Sequence, residues 1–381
     1  MLLVEAAGAD KGKSMKVLIM NPILYTSETD SIPKVTSIKD TMIYALCMGF
    51  VKNGDKPVLV AAMDYRPVCE EEYPFQILWF PCLLPAIWKP RCFPLLKGLG
   101  GYLRKHRGEY DYIISSEVFS MLSLSAAVYA RKKLLIWHEL GAHNHMLKEF
   151  PSRFWYNVVA RLFMRNIPII PRSEHAAVFI GQFCSRVLPV RIDHGVDLSE
   201  IAYSREKEKY FTVLSQLIER KHIDKIIDNF ASFLKKEAGS GWQLKIIGDG
   251  VLKQELEQQV KALGLEGEIT FFGKLSHEQL MPILSKASAL LVNTSKDNSM
   301  VSIVESIAAG TPVVTTSIPF NSSYIKSEKL GIVKDGWDEK ELEEICQNRE
   351  EYVINCIRYR EKLGNKYFAG LFNEIGGQLG K

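Results

Sequence analysis

A chain of 381 residues exceeds the size at which one hydrophobic core usually stops growing, so two domains of similar size are expected. Hydrophobic residues make up 47% and charged residues 24% of the chain, a globular composition that argues against intrinsic disorder. The net charge of +4 is too small to indicate a nucleic-acid partner. Seven scattered cysteines with no C-x-x-C pair argue against a disulfide framework or a zinc site and are typical of a reducing compartment.

The N-terminal residues and the lengths of the apolar runs indicate the expected cellular location. Residues 1–14 contain an early acid and no sustained apolar stretch, so we expect a leader there rather than a signal peptide. No run reaches the roughly 18 apolar residues that a membrane-spanning helix needs. We therefore expect a cytoplasmic protein, either soluble or peripheral at the inner face of the plasma membrane.

The first half of the chain alternates short β-rich runs with helical patterns. Strands are predicted at residues 16–20, 57–61, 112–115 and 134–137. Helices are predicted over 38–50 and around 119–131. Because strands that alternate with helices form a parallel sheet with crossover connections, residues 15–194 are predicted to form one Rossmann-like domain.

The second half repeats this alternation after a polar, charged stretch at residues 195–209, which we interpret as a linker. Strands are predicted at residues 211–215, 243–247, 268–272, 289–293 and 312–316. Ser276 and Gln279 form a capping-box pattern at the start of one intervening helix, and Gly264 ends another. Residues 195–359 are therefore predicted as a second Rossmann-like domain, and such folds bind ligands at the carboxyl ends of their strands.

Two carboxylates, Asp297 and Glu305, flank the start of a helix predicted from about 299 to 309. The first free N–H groups of this helix, near residues 300–302, form an anion site that suits a diphosphate. Glu305 lies roughly 9 Å further along, at 1.5 Å per residue. Since carboxylates accept strongly from paired hydroxyls, a sugar nucleotide fits this arrangement. Taken alone, the pair is equally compatible with a helix-capping acid and a surface glutamate.

Five segments in the second half resemble, in order, the C-terminal domain of a GT-B glycosyltransferase of the retaining glycosyltransferase family 4. They are residues 194–197 (HGVD), 216–221 (QLIERK), 248–250 (GDG), 272–273 (FG) and 297–305 (DNSMVSIVE) with its tail 308–314 (AAGTPVV). The resemblance covers roughly residues 194–317. It implies an α/β GT-B fold of two Rossmann-like domains facing a central cleft, with a final helix at about 360–381 that packs back on the first domain.

By this resemblance, Glu305 binds the ribose of the donor and Asp297 the hydroxyls of its sugar. The amides near Ser299–Ser302 and the ammonium of Lys221 hold the diphosphate. The full donor-binding set consists of Gln216, Arg220, Lys221, Gly248, Gly250, Phe272, Asn298, Ser299, Met300, Val301, Ser302 and Glu305. The chain departs from the family pattern at Gln216, where an arginine is usual, and at Asp297, where a glutamate is usual. Each departure implies a different donor sugar or a weakened enzyme.

The predicted strand at 134–137 leads directly into His138 and Glu139, at the strand end where such folds place their chemistry. In the family, a histidine at this kind of strand end contacts the transferred sugar. His138 and Asp297 are therefore the predicted catalytic residues, and a histidine hydrogen-bonded under a loop is the alternative. The nearby His143 and His145 do not have the H-E-x-x-H spacing, so no metal and no other cofactor is expected.

Residues 75–107 combine aromatic side chains with lysines and arginines, a composition that suits an anionic membrane surface. The alternative for this segment is a core element followed by a solvated basic helix. The membrane interpretation implies a lipid-linked acceptor.

The resemblance as a whole implies a retaining, metal-independent hexosyltransferase. It would transfer a sugar from a nucleoside-diphosphate sugar to a hydroxyl of a glycan or lipid-linked acceptor, in cell-surface polysaccharide biosynthesis. Two other functions stay open: a non-catalytic partner subunit with this fold, and an epimerase that acts on the nucleotide sugar without any acceptor. A nicotinamide dehydrogenase is disfavoured because no G-x-G-x-x-G follows the first strand.

Overall fold

The computed structural model describes residues 14–21, 37–67, 71–83, 94–144, 146–193 and 195–379. Within these ranges the chain forms two compact units. The first comprises the described residues up to Asp193 and those from Asn365 onwards, and the second ends at Gly364. Each unit contains one six-stranded parallel sheet with helices between the strands, which confirms the predicted class of two Rossmann-like domains.

The sheet of the first unit has the strand order β3-β2-β1-β4-β5-β6. Its strands are β1 (Lys16–Met20), β2 (Lys56–Ala62), β3 (Gln76–Phe80), β4 (Tyr112–Ser116), β5 (Leu134–His138) and β6 (Ile169–Pro171). The inner strands are buried almost without interruption, because helices cover both faces of a parallel sheet. Four of the six strands match the sequence prediction, whereas β3 and β6 were not predicted.

Five α-helices accompany this sheet in the described residues before the chain enters the second unit. They are α1 (Met42–Lys52), α2 (Leu99–His106), α3 (Met121–Tyr129), α4 (Phe150–Phe154) and α5 (Glu174–Gly181). A π-helical segment, Trp155–Met164, continues α4 directly. The predicted helix over 38–50 is split, because Thr41 ends a short 3₁₀ turn and caps α1 with its side chain.

The sheet of the second unit has the strand order β12-β11-β10-β7-β8-β9. Its strands are β7 (Tyr210–Leu214), β8 (Gln243–Ile247), β9 (Ile269–Gly273), β10 (Ala289–Leu291), β11 (Val313–Thr315) and β12 (Gly331–Val333). The chain builds outward from β7 in one direction and then continues with β10 on the other side of β7. The strand order therefore reverses between β7 and β10, which is where open parallel sheets bind their ligands.

Seven helices complete the second unit. They are α6 (Ile223–Leu234), α7 (Lys253–Leu263), α8 (His277–Lys286), α9 (Val301–Ala308), α10 (Ser322–Ser327), α11 (Glu339–Gln347) and α12 (Arg349–Tyr359). The predicted capping box of Ser276 and Gln279 opens α8, and the predicted stop Gly264 ends α7 with φ 67°. The two ends of the unit meet in an isolated bridge between Val196 and Gly364.

The last helix, α13 (Asn365–Gly376), packs against α1 in the first unit. Phe372 is fully buried, with its ring 6.3 Å from that of Phe50 and 5.7 Å from that of Trp137. The neighbouring Asn373 donates to Asp55 at 2.6 Å and accepts from the hydroxyl of Tyr112 at 2.8 Å. The buried ring of Phe372 and the two hydrogen bonds of Asn373 therefore hold α13 on the first unit.

The predicted membrane segment 75–107 is described only in part, because residues 84–93 lie outside the described residues. Its first aromatic residues lie in β3, where Phe80 packs edge-on against Tyr102 of α2 at 5.6 Å. The exposed basic residues Arg104 and Lys105 follow on α2. Among the described residues, no helix combines the length and the apolar character needed to cross a bilayer.

The burial of Phe372 gives a test of how α13 contributes to the first unit. The substitution Phe372→Ala should cost about 3–5 kcal/mol of the free energy of unfolding, because it removes a buried ring and leaves a cavity. Tyr367→Ala, on the same helix but with an exposed ring, is the matched control. Hydrogen exchange of the β1 and α1 amides in increasing urea measures both effects, and equal costs for the two variants would contradict this packing.

Candidate functional site

The loops that follow β7 and β10 leave adjacent strands at the point where the strand order reverses. The loop after β7 ends in a 3₁₀ turn, Glu219–Lys221, and His222 then adopts a left-handed conformation before α6 begins. The amide of Ser295 donates to the carbonyl of Arg220 at 3.0 Å, and the hydroxyl oxygen of Thr294 lies 3.1 Å from the same carbonyl oxygen. These contacts fix the basic turn to the loop after β10.

The carboxylate of Asp297 joins the two loops electrostatically. Its Oδ1 accepts from Arg220 Nη1 at 2.8 Å, and its Oδ2 accepts from Lys221 Nζ at 2.7 Å. The hydroxyl of Thr294 donates to Oδ2 at 2.6 Å. Since only 9% of the Lys221 side chain and 11% of the Asp297 side chain are exposed, the contacts are weakly screened. The cluster of Arg220, Lys221 and Asp297 thus brings two cations to this edge of the sheet.

The predicted glycines Gly248 and Gly250 lie in the loop after β8 and allow it to approach the loop after β7. A Cβ atom on Gly248, whose φ is +139°, would lie 1.8 Å from the carbonyl oxygen of Ser215. A Cβ atom on Gly250 would lie 2.3 Å from the carbonyl oxygen of Leu217. The amide of Leu217 also donates to the carbonyl of Asp249 at 3.0 Å. The G-x-G pattern is therefore required by backbone packing at the edge of the site.

The N-terminus of α9 is partly capped by a residue that the sequence analysis missed. Fully buried Asn321 accepts from the amide of Met300 at 2.7 Å and donates to Tyr324 and Ser299. The amides of Val301 and Ser302 belong to the first turn of α9, where backbone N–H groups have no partner within the helix. Two of the predicted diphosphate-binding amides thus remain available to an anion, and a third is used by the protein.

Glu305 contacts a second residue that the sequence analysis did not single out. Its Oε1 lies 3.6 Å from Nε2 of His277, the first residue of α8. Hydrogen bonding by Glu305 raises the pKa of the His277 imidazole above its usual value of 6.5. Glu305 is thereby held toward α8 rather than toward solvent.

The other predicted donor-binding residues lie on the same edge of the sheet. Gln216 and Asn298 are exposed on the loops after β7 and β10, and Phe272 is exposed near the end of β9. The structure therefore gathers the predicted donor-binding residues around the carboxyl ends of β7 to β10.

A cavity of about 420 Å³ lies beside this cluster, at the carboxyl ends of β10, β11 and β12. Its charged lining residues are His222, Lys225, Asp228, Asp335 and Asp338. Three carboxylates against one lysine disfavour a phosphate ligand in this cavity. The positive cluster at Asp297 is therefore the better anion site.

His138, the predicted catalytic residue of the first unit, is fully buried at the carboxyl end of β5. Its Nδ1 lies 2.9 Å from Oε2 of Glu117, and the rings of Tyr156 and Phe179 lie 6.3 and 6.4 Å away. Nε2 is buried without a hydrogen-bond partner among the described residues. Burial would raise the pKa of Glu117, but the charge and hydrogen bond of His138 hold it below its usual value.

Glu139 does not orient His138 directly, since its carboxylate accepts from Arg172 at 2.6 Å. The Arg172 charge favours the ionised form of Glu139, but burial together with the nearby Glu117 and Asp193 outweighs it and raises the pKa of Glu139. The backbone amide of Glu139 donates to Glu117 at 2.7 Å. Glu117, which follows a different strand and adopts φ 66°, was missed because nothing in its local sequence marks it.

Residues 198–352 match the family model described as Glycosyl transferases group 1. The matched region contains every donor-binding residue predicted from the sequence.

Individual relatives are distant. The chain is 26% identical over 189 residues to the O-antigen chain mannosyltransferase RfbU of Salmonella typhimurium, covering 49% of this chain and 52% of the relative. It is 29% identical over 140 residues to mannosylfructose-phosphate synthase of Agrobacterium fabrum, covering 35% and 31%. The alignments thus span about half of these curated relatives or less.

Solved structures match over nearly the whole chain. The Anabaena protein HepE in complex with UDP superposes with a TM-score of 0.63 at 14% identity, covering 95% of this chain and 99% of that one. At this identity the match shows the fold alone. Residues 198–352 are therefore similar to the Glycosyl transferases group 1 family, on a chain that has the GT-B fold.

Proposed function

We propose that this protein is a glycosyltransferase that transfers a sugar from a nucleoside-diphosphate sugar to a hydroxyl of a glycan. The observation that carries the proposal is the cluster in which Arg220 and Lys221 contact the carboxylate of Asp297 beside the N-terminus of α9. The match of residues 198–352 to the group 1 family supports the reaction class. The O-antigen mannosyltransferase and the UDP-bound structure among the similar proteins support a cell-surface polysaccharide product and a nucleotide-sugar donor.

In this proposal the diphosphate of the donor lies between the basic turn and α9. Arg220 and Lys221 supply the positive charge, and the amides of Val301 and Ser302 donate to the phosphate oxygens. Fixed donors of this kind stabilise the charge that develops on the leaving diphosphate. The chemistry is proposed to need no metal for that reason, and to retain the anomeric configuration as in glycosyltransferase family 4.

The two carboxylates are proposed to bind the ends of the donor. Glu305, held toward α8 by His277, accepts from the ribose hydroxyls. Asp297 accepts from hydroxyls of the sugar while it stays bound to the cations. A carboxylate offers about four acceptor positions, and Arg220, Lys221 and Thr294 occupy three of those of Asp297. The remaining position allows Asp297 to accept about one further hydrogen bond from the sugar.

The role of His138 as the residue that contacts the transferred sugar stays a prediction. Because His138 is completely buried, its surroundings must rearrange before a substrate can reach Nε2. This burial is the observation that favours the second candidate function, a non-catalytic partner subunit. The lipid-linked acceptor and the membrane contact through residues 75–107 are likewise retained as proposals.

Thermal stability measured with UDP-, GDP-, ADP- and CMP-sugars, each with and without magnesium, tests the donor assignment. A ligand at about 100 times its dissociation constant adds about 2.7 kcal/mol to the free energy of unfolding, which is readily detected. We expect one nucleotide to stabilise the protein without magnesium. Stabilisation by none of them would contradict the donor site, and binding without sugar transfer to any acceptor would favour the partner subunit.

Substitution of the two carboxylates separates the two ends of the donor. Glu305→Ala should abolish stabilisation by the free nucleotide and by the nucleotide sugar, because both carry the ribose. Asp297→Ala should preserve the effect of the free nucleotide, because the diphosphate can supply the negative charge that Arg220 and Lys221 lose with Asp297, and it should reduce the additional effect of the sugar. Glu257→Ala, an exposed acid on α7, is the control. Equal losses of both ligands in both variants would contradict the proposed contacts.

The contact between His277 and Glu305 predicts a pH-dependent contribution to stability. Because folding raises the pKa of His277, its contribution is fully present below the usual value of 6.5 and is lost as the pH rises through the raised pKa. Wild type should therefore exceed His277→Gln in stability most at low pH, with a difference that shrinks toward alkaline pH. Urea denaturation of both proteins across this range measures it, and a difference independent of pH would refute the ion pair.

A further inference from the structure

The outward face of α4 and of its π-helical continuation carries two parallel rows of side chains, which we call the α4 surface. The apolar row consists of Phe150, Phe154, Val158 and Leu162, which are 72, 53, 38 and 69% exposed. The polar row consists of Arg153, Asn157, Arg161 and Arg165, all of them exposed. Both rows repeat every four residues, so they run side by side along the helix.

The opposite face of this helix is fixed in the core of the first unit. Trp155 is buried and donates from its indole to the carbonyl of Val118 at 2.8 Å. Tyr156 is fully buried and packs edge-on against Phe179 at 4.9 Å. Because the helix is anchored by these aromatic residues, it cannot turn its apolar row inward. A contiguous exposed apolar row of this kind indicates an interaction surface.

The charge beside the apolar row identifies the kind of partner. Residues 148–166 contain four basic residues and a single acid, Glu149, which is already paired with Arg153 at 2.7 Å. Arg131 adds a further cation next to the end of the row, where its guanidinium donates to the carbonyl of Phe163 at 2.7 Å. An exposed apolar row flanked by arginines matches a lipid surface with anionic headgroups.

We propose that the α4 surface binds an anionic lipid bilayer, with the apolar row inserted at the headgroup boundary and the arginines against lipid phosphates. A second copy of the chain fits this surface less well, since the polar row offers no acid to pair with its arginines. The surface is distinct from the predicted segment 75–107. On α2, the described helix of that segment, Leu99 and Leu103 are buried, so its basic residues have no exposed aliphatic row beside them. The proposal is independent of the proposed transferase activity.

Vesicle flotation of the full chain tests this proposal. Wild type should float with vesicles of equal parts phosphatidylcholine and phosphatidylglycerol, and should float far less with pure phosphatidylcholine. The variant Phe154→Gln with Leu162→Gln should lose at least tenfold in vesicle affinity. The variant Arg161→Gln with Arg165→Gln should lose the preference for phosphatidylglycerol. Unchanged thermal unfolding midpoints verify that the variants fold.

Two matched controls locate the contact. Val251→Gln with Leu263→Gln removes exposed apolar side chains of the second unit and should leave flotation unchanged. Arg104→Gln with Lys105→Gln removes exposed charges of α2 and should have a smaller effect than the arginine variant of the α4 surface. The proposal is overturned if wild type does not float, if the Phe154 and Leu162 variant floats as well as wild type, or if only the α2 variant fails to float. A dimer in light scattering that this apolar variant dissociates would also overturn it, in favour of self-association.

Discussion

The ion pairs between Asp297 and the cations Arg220 and Lys221 are the contact on which the candidate site depends. A lysine that is almost completely buried loses its hydration, and the loss is tolerated only when an opposite charge and well-oriented hydrogen bonds replace the water. Asp297 supplies that charge from the neighbouring strand end, and Thr294 orients it. The arrangement exists because the strand order reverses between β7 and β10, so that their two loops leave the sheet side by side. The sheet topology thus determines where positive charge accumulates.

Backbone packing imposes a second constraint on the same edge. The loop after β8 lies so close to the loop after β7 that a side chain at Gly248 or Gly250 would overlap a carbonyl oxygen. These glycines therefore act on the site indirectly. They allow the loop after β8 to pack against the backbone of the loop that carries Arg220 and Lys221. A substitution at either position would displace that loop before it affected any ligand contact.

Nine of the twelve strands in the described residues and several of the helices could be predicted, because they depend on local periodicity, caps and short motifs. Short motifs also indicated which residues would lie together at the candidate site. The partners of those residues could not. Asn321, His277 and Glu117 reach Met300, Glu305 and His138 only after the chain has folded, and no local pattern marks them. The same holds for β3, whose half-buried aromatic residues have a composition that equally suits a membrane surface. Sequence motifs therefore locate the site, and tertiary contacts decide how its charges are arranged.

The bridge between Val196 and Gly364 has a consequence for how the chain can be divided. The amide of Val196 donates to the carbonyl of Leu363 at 3.0 Å, so the first and last segments of the second unit lie against each other. An inserted domain whose ends are adjacent can be excised as one continuous piece, and a short linker can close the gap that it leaves. The sequence order of this protein, in which one unit interrupts the other, is therefore compatible with producing the second unit as a separate polypeptide.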